Sequence, residues 1–319
     1  MTILAEPDKA TAASTTYSEY KYGTLSDLQT LGIWDFRPSQ GETANGSPAV
    51  KYWVVFIHGG AWRDPRVTLH AIEPTVAQLV ASPTHSARIA GVASIDYRLT
   101  AHPDFPQDPA TTPPGQLRNA RHPDHVRDVA AAMTLLATLR PIAGPSTRYL
   151  LAGHSAGATL ALQLLMGSRA GVVDDVAVAQ PPPFPAPAAI VGYEGLYDLR
   201  GICARKGYGF LFAPPFGDDE DAWDRASPAL HRGLAAAWDA WAAATTDAGL
   251  GRRRLVVVAQ STEDELVDMD EALAMERALR DDGVPHMLIA DLKGKHSEVL
   301  GAGTDIVRVL GQTVDALEA

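Results

Sequence analysis

The chain has 319 residues, a formal net charge of −11 and a pI near 5.3, with 46% apolar residues. The acidic balance argues against nucleic acid or an anionic membrane as partner, and the length allows one large α/β domain or two small ones. A single cysteine, Cys203, excludes an internal disulfide and fits a reducing, cytoplasmic setting.

The first 16 residues have neither a basic run nor a long apolar one, so they read as a mobile tail rather than a secretory signal. Residues 17–319 then read as one domain. No stretch approaches the roughly 20 apolar residues of a membrane span. Leu28 to Phe36 is a candidate first strand, and Ser39 to Pro48 a turn-rich break. Lys51 to His58, with its continuous aromatic and branched residues, predicts a buried strand. It runs into Gly59-Gly60-Ala61-Trp62. A helical pattern covers Pro65 to Ser82, and Arg88 to Tyr97 predicts the next strand. The long proline-rich loop from Thr100 to Pro123 follows a strand end, where α/β sheets bind ligands.

His125 to Leu139 carries a helical apolar stripe. Tyr149 to Ala152 predicts a buried strand, which enters Gly153-His154-Ser155-Ala156-Gly157 and then a helix. The stretch QPPPFPAP, 180–187, reads as a rigid connector, and Ala189 to Tyr197 as a strand. Residues from about 199 to 247 are less regular and read as a cap insertion. Its Trp238 and Trp241 share a helical face, which favours packing of the cap on the body over substrate contact. A strand at Arg254 to Gln260, a helix from about Asp268 to Arg280, a strand at His286 to Leu292 and a final helix complete the chain. Strands alternating with helices predict a mostly parallel sheet covered on both faces.

G-x-S-x-G between a strand and a helix is the pattern of a nucleophile elbow, a turn so tight that the flanking positions must lack side chains. It would put the Ser155 hydroxyl at the apex, beside the positive end of the next helix. A serine hydroxyl needs a base, and the base an acid, here in the order Ser, acid, His. His286 and His296 are the histidines late enough in the chain. His286 opens a strand, whereas His296 lies in a Gly/Lys loop free to face a neighbouring strand end. For the acid, Glu263, Asp264 and Glu265 compete, with Asp268 more distant. Local spacing favours Asp264 because Leu266-Val267 lies behind it.

The intermediate also needs N–H donors aimed at its oxyanion. Ala156 would supply one, and Gly60 and Ala61 others, with Gly59 permitting close approach. Trp62 has two possible uses, walling a small acyl pocket or anchoring the loop in the core. No histidine pair has metal-ligand spacing, so no metal and no cofactor is expected.

With these motifs assembled, the chain resembles the α/β-hydrolase superfamily and, more narrowly, the fungal-type kynurenine formamidases (arylformamidases). The resemblance spans roughly residues 50–300. It rests on His58-Gly59-Gly60-Ala61-Trp62 with Arg63-Asp64-Pro65, on Tyr97-Arg98-Leu99 with His102 to Pro109, and on Arg121 to His125. It rests also on the elbow, on Gly195-Leu196-Tyr197-Asp198 and on Ser261 to Val267. Carried over residue by residue, the family triad falls on Ser155, Asp264 and His296, which selects Asp264 over Glu263.

The resemblance implies an α/β-hydrolase fold and a small-molecule substrate, N-formyl-L-kynurenine, cleaved through a formyl-serine. Arg98, Asn119 and Glu194 are candidate partners for its amino-acid group. A homodimer is the default oligomer.

Overall fold

The computed structural model describes residues 14–37, 50–166, 182–245 and 254–319. Eight strands form one sheet: β1 (Ser14–Lys21), β2 (Thr30–Arg37), β3 (Lys51–Ile57), β4 (Ile89–Ile95), β5 (Thr147–His154), β6 (Ala189–Tyr193), β7 (Leu255–Ser261) and β8 (His286–Leu292). Their order across the sheet is β1-β2-β4-β3-β5-β6-β7-β8. β1 and β2 pair antiparallel to their neighbours, and every pairing from β4 to β8 is parallel. The expected mostly parallel sheet is therefore present, with an antiparallel edge.

β1 begins at Ser14, inside the stretch expected to be a tail, while residues 1–13 lie outside the described ones. Its side chains are mostly exposed, and pairing along all of β2 holds it in place. The turn expected at 39–48 and the first residues of QPPPFPAP also lie outside the described residues.

The helices are α1 (Glu73–Ala81), α2 (Pro83–Arg88), α3 (Asp124–Leu139), α4 (Ala156–Met166), α5 (Leu199–Lys206), α6 (Gly209–Phe216), α7 (Glu220–Ala226), α8 (Leu234–Ala244), α9 (Met269–Asp281), α10 (His296–Ala302) and α11 (Thr304–Glu318). The expected single C-terminal helix is two, because Gly303 takes a left-handed φ of 71° that ends α10 and starts α11 at a new angle.

One apolar cluster lies on each face of the sheet. Alternate residues of β3 feed them, Trp53, Val55 and Ile57 one side and Tyr52, Val54 and Phe56 the other. Each large aliphatic side chain so buried stabilises the fold by about 1.5–3 kcal/mol.

α5 to α8 lie between β6 and β7 in the chain. Trp238 and Trp241 are both buried, and the Trp241 indole N–H donates to the Phe184 carbonyl at 2.8 Å. The pair is thus packing between α8 and the loop before β6. Among the described residues no helix is long and apolar enough to cross a membrane.

Candidate active site

The carboxyl ends of β3, β5, β6 and β7, with the N-terminus of α10 after β8, bring the candidate residues to one edge of the sheet. Ser155 follows β5 and has a φ of 55°, a left-handed conformation strained for any residue with a Cβ. Its N–H is held by the Tyr193 carbonyl at 2.8 Å. The strain is tolerated because the flanking glycines admit the turn. A Cβ on Gly157 would overlap the Ile57 carbonyl oxygen, and one on Gly153 would overlap Gly157 itself. The elbow read from the motif is formed, with Ser155 starting α4.

Gly59 brings the loop after β3 against the candidate nucleophile, since a Cβ there would lie 2.8 Å from Ser155 Cβ and 2.9 Å from the His154 carbonyl. The loop turns its carbonyls away. Tyr97 Oη lies 3.0 Å from both the His58 and Gly59 oxygens, and the Tyr97 ring stacks on His58 at 4.5 Å. The Gly60 carbonyl accepts from the N–H groups of Arg63 and Asp64 at 3.0 and 2.9 Å. Gly60, Ala61 and Trp62 all have positive φ, at 88°, 49° and 60°. Among the described residues the N–H groups of Gly60, Ala61 and Ala156 have no acceptor, as an oxyanion hole requires. The scaffolding by Tyr97 and His58 was not read from the sequence. Trp62 is fully buried, packed edge-on against Phe212 and Phe216 of α6 with ring centroids 6.2 and 5.0 Å away.

The candidate acid and base meet directly. His296 Nδ1 donates to Asp264 Oδ2 at 2.8 Å. Asp264 also accepts from Gln260 Nε2 at 3.1 Å and from the N–H groups of Leu266 and Val267, both at 2.9 Å. Leu266 and Val267 therefore support the acid through their main chain. Burial works to raise the Asp264 pKa. The hydrogen bond and charge of His296 and those two N–H groups outweigh it and hold the carboxyl below the usual range.

Glu263 is exposed, Glu265 accepts from the His296 N–H at 3.2 Å, and Asp268 pairs with Arg205 at 2.9 Å. With Nδ1 committed to Asp264, Nε2 is the His296 nitrogen left to act as base. His296 reaches the elbow through His154, whose ring lies 4.6 Å away and whose Nε2–H donates to the His296 carbonyl at 3.1 Å. Ser155 Oγ makes no hydrogen bond among the described residues; such contacts commonly tighten only around substrate.

Beneath this pair lies a residue the motifs do not mark. Glu194, just after β6, is fully buried, has a positive φ of 50°, and accepts from His154 Nε2 at 3.1 Å. Its Oε2 is 3.9 Å from His296 Nδ1. Burial, then the charge and hydrogen bond of Asp264, then the charges of Glu265 and Asp305, push its pKa up to about 10. It is a neutral carboxylic acid at neutral pH and does not face an incoming amino group, contrary to the expectation. His154 is likewise neutral, with its pKa pushed down to about 3 by burial and then by His296.

His154, Glu194 and His296 place ligand atoms within 4.8 Å of one another, a grouping that sequence spacing did not reveal. His154 Nε2, Glu194 Oε2 and His296 Nδ1 are each engaged in the hydrogen bonds just described. The other two candidates for the amino-acid group lie elsewhere in the chain. Arg98 is held by Asp128 through two bonds of 2.8 and 2.9 Å, and Asn119 is exposed.

The buried proton has a measurable consequence. An acid whose folded pKa is raised destabilises the fold as pH climbs from its unfolded value, because only the unfolded state releases the proton. From about pH 5 towards 10, Glu194→Gln should gain on the wild type by about 1.4 kcal/mol per pH unit. Urea unfolding at pH 6 and 8 measures this; equal differences at the two values would show Glu194 ionised in the fold.

Comparison with known proteins now bears on this geometry. Residues 54–303 match the model of the alpha/beta hydrolase family. A kynurenine formamidase-like hydrolase of Fusarium equiseti is 32% identical over 92% of this chain and 91% of its own length. The chain belongs to the α/β-hydrolase family, among the fungal-type kynurenine formamidases.

A kynurenine formamidase of Aspergillus versicolor is 28% identical to this hydrolase over 78% of the chain and 84% of its own length. Esterase B of Lactobacillus rhamnosis, at 16% identity and a TM-score of 0.62 over 97% of this chain and 87% of that one, shares the fold.

Proposed function

We propose that this hydrolase cleaves the formamide of N-formyl-L-kynurenine, giving L-kynurenine and formate. The observation that carries the reading is the 2.8 Å bond from His296 to Asp264, set against the Ser155 elbow and a loop with free N–H groups. The 32% identity to a kynurenine formamidase-like hydrolase over nearly the whole chain supports the substrate.

In this mechanism Ser155 Oγ attacks the formyl carbon while His296 Nε2 takes its proton, and Asp264 stabilises the imidazolium. The developing oxyanion is met by the N–H groups of Ala156, Gly60 and Ala61. Each such donor is worth about 10²–10³-fold in turnover. His296 then protonates the arylamine nitrogen, L-kynurenine leaves, and a formyl ester remains on Ser155. Water, deprotonated by His296, attacks that ester; formate departs and Ser155 recovers its proton.

Trp62 anchors the oxyanion loop against α6 in this reading, and α5 to α8 act as a cap over the leaving-group side. The test compares kcat/KM for N-formyl-L-kynurenine with that for p-nitrophenyl acetate and butyrate. The formamide is expected to be the best substrate; a clear preference for the butyrate would replace this reading with a general esterase.

A further inference from the structure

Among the described residues one arginine is buried yet faces no carboxylate. Arg63, just past the oxyanion loop, is 6% exposed. Among the described residues no carboxylate oxygen lies within 4.0 Å of its nitrogens. The part-buried arginines Arg98, Arg140 and Arg205 are all paired, with Asp128 at 2.8 Å, Asp35 at 2.7 Å and Glu271 at 2.6 Å. The nearby Asp64 is committed to Arg66 through bonds of 2.9 and 2.7 Å. Arg63 makes one side-chain hydrogen bond, from Nη1 to the Phe210 carbonyl at 3.0 Å, and its guanidinium lies 5.6 Å from the centre of the Phe210 ring.

Removing a guanidinium from water without a counter-ion is unfavourable unless hydrogen bonds or a ligand's charge return what water supplied. Burial accordingly pulls the Arg63 pKa down, against the more distant charges of Asp104 and Asp64. A planar fork with unused donors fits a carboxylate edge-on, through two parallel bonds.

The position of Arg63 adds to its chemistry. α6 bridges the two loops that carry the proposed reaction. On one side Phe210 meets Arg63, and Phe212 and Phe216 meet Trp62. On the other, Tyr208 Oη donates to the Leu266 carbonyl at 2.9 Å, within the acid loop. Phe210, against the buried cation, remains 63% exposed, and Leu266, joined to α6 through Tyr208, 44% exposed.

We infer that Arg63 is the carboxylate-binding residue of the leaving-group site, holding an aryl-containing carboxylate substrate at an apolar lip formed by Phe210 and Leu266. The inference rests on the formamidase reading for the identity of that substrate. In N-formyl-L-kynurenine the carboxylate lies at the opposite end from the formyl group, with the aromatic ring between. Arg63 follows directly on the loop that Gly59 brings against Ser155, and the Phe210 ring lies against its guanidinium, so the reacting centre, an apolar ring and a cation sit on contiguous elements. The single Phe210 carbonyl contact keeps the guanidinium in place between turnovers.

The test uses the full chain with Arg63→Gln and Arg63→Lys. Two substrate pairs test the carboxylate: 4-acetoxybenzoate against phenyl acetate, which differ by that group alone, and N-formyl-L-kynurenine against 2-formamidoacetophenone, which lacks the α-ammonium as well. Arg63→Gln is expected to lower kcat/KM for the carboxylate members by about 10- to 100-fold, mainly through KM. The neutral members should change less than about twofold, which also verifies that the variant folds. Arg63→Lys should fall between, keeping the charge but losing the fork.

Equal losses on charged and neutral members would make Arg63 a structural tie to α6, and an unchanged profile would remove it from the site. Either result overturns the inference. If the wild type ignored both formamides while Arg63→Gln still lost selectivity on the ester pair, the substrate reading would fail and the carboxylate site would stand.

Discussion

Ser155→Ala lowers kcat by about 10⁴- to 10⁶-fold, leaving only what the oxyanion donors and binding provide. The substitution removes one atom from a residue that is 5% exposed and already held at a φ of 55°. The Tyr193 carbonyl bond and the bonds from the Ala158 and Thr159 N–H groups to the Ser155 carbonyl use the main chain, so alanine retains them. The elbow therefore survives, and the melting temperature stays within a few degrees of the wild type. Loss of labelling by a serine-directed phosphonate, measured on the same preparation, ties the lost turnover to the hydroxyl. Wild-type turnover in this variant would remove Ser155 as nucleophile and leave the free N–H groups around it unexplained.

Much of this site is legible in the sequence because its parts are contiguous motifs with steric causes. Gly153 and Gly157 are glycines because a strand, a tight turn and a helix cannot otherwise occupy the same few ångströms. Gly59 is one because the loop after β3 touches Ser155. The acid is harder. Three carboxylates stand within Glu263-Asp264-Glu265, and only the folded loop shows that Asp264 turns inward onto two N–H groups while Glu263 points to solvent.

Glu194 and Arg63 are singled out in the sequence, but their burial and charge environment are not legible there, for a related reason. What marks them is a missing counter-charge and a depth of burial, and neither is a property of neighbours in the chain. β1 escapes because STTYSEYK has no apolar alternation: an exposed edge strand is held by its backbone ladder rather than by a buried face. The break at Gly303 was visible only as one glycine among 27, and its role depends on the left-handed φ it adopts.

Asp264→Asn lowers kcat by about 10⁴-fold, with its cause in the tautomer of His296. Four donors fall in two pairs on the Asp264 carboxylate: His296 Nδ1 and Gln260 Nε2 on one oxygen, the Leu266 and Val267 N–H groups on the other. An amide can satisfy only one pair. Keeping its oxygen on the two main-chain N–H groups turns its NH₂ towards His296. The imidazole then accepts at Nδ1, carries its proton on Nε2, and cannot take one from Ser155.

The acid limb behaves differently in the wild type. Because the folded Asp264 pKa is depressed, its stabilising contribution is complete above the ordinary carboxylate value of 3.8 and is lost as pH falls through the lower folded value. Glu194→Gln supplies the contrast, since a neutral acid replaced by a neutral amide still accepts from His154, and its kcat should stay within about tenfold of the wild type. Both carboxyls lie near His296 Nδ1, at 2.8 Å for Asp264 and 3.9 Å for Glu194. If the reacting enzyme used Glu194 as its acid instead, the two variants would exchange behaviour. Measuring both therefore decides which carboxyl orients the base, and the shorter bond, the depressed pKa and the four donors all point to Asp264.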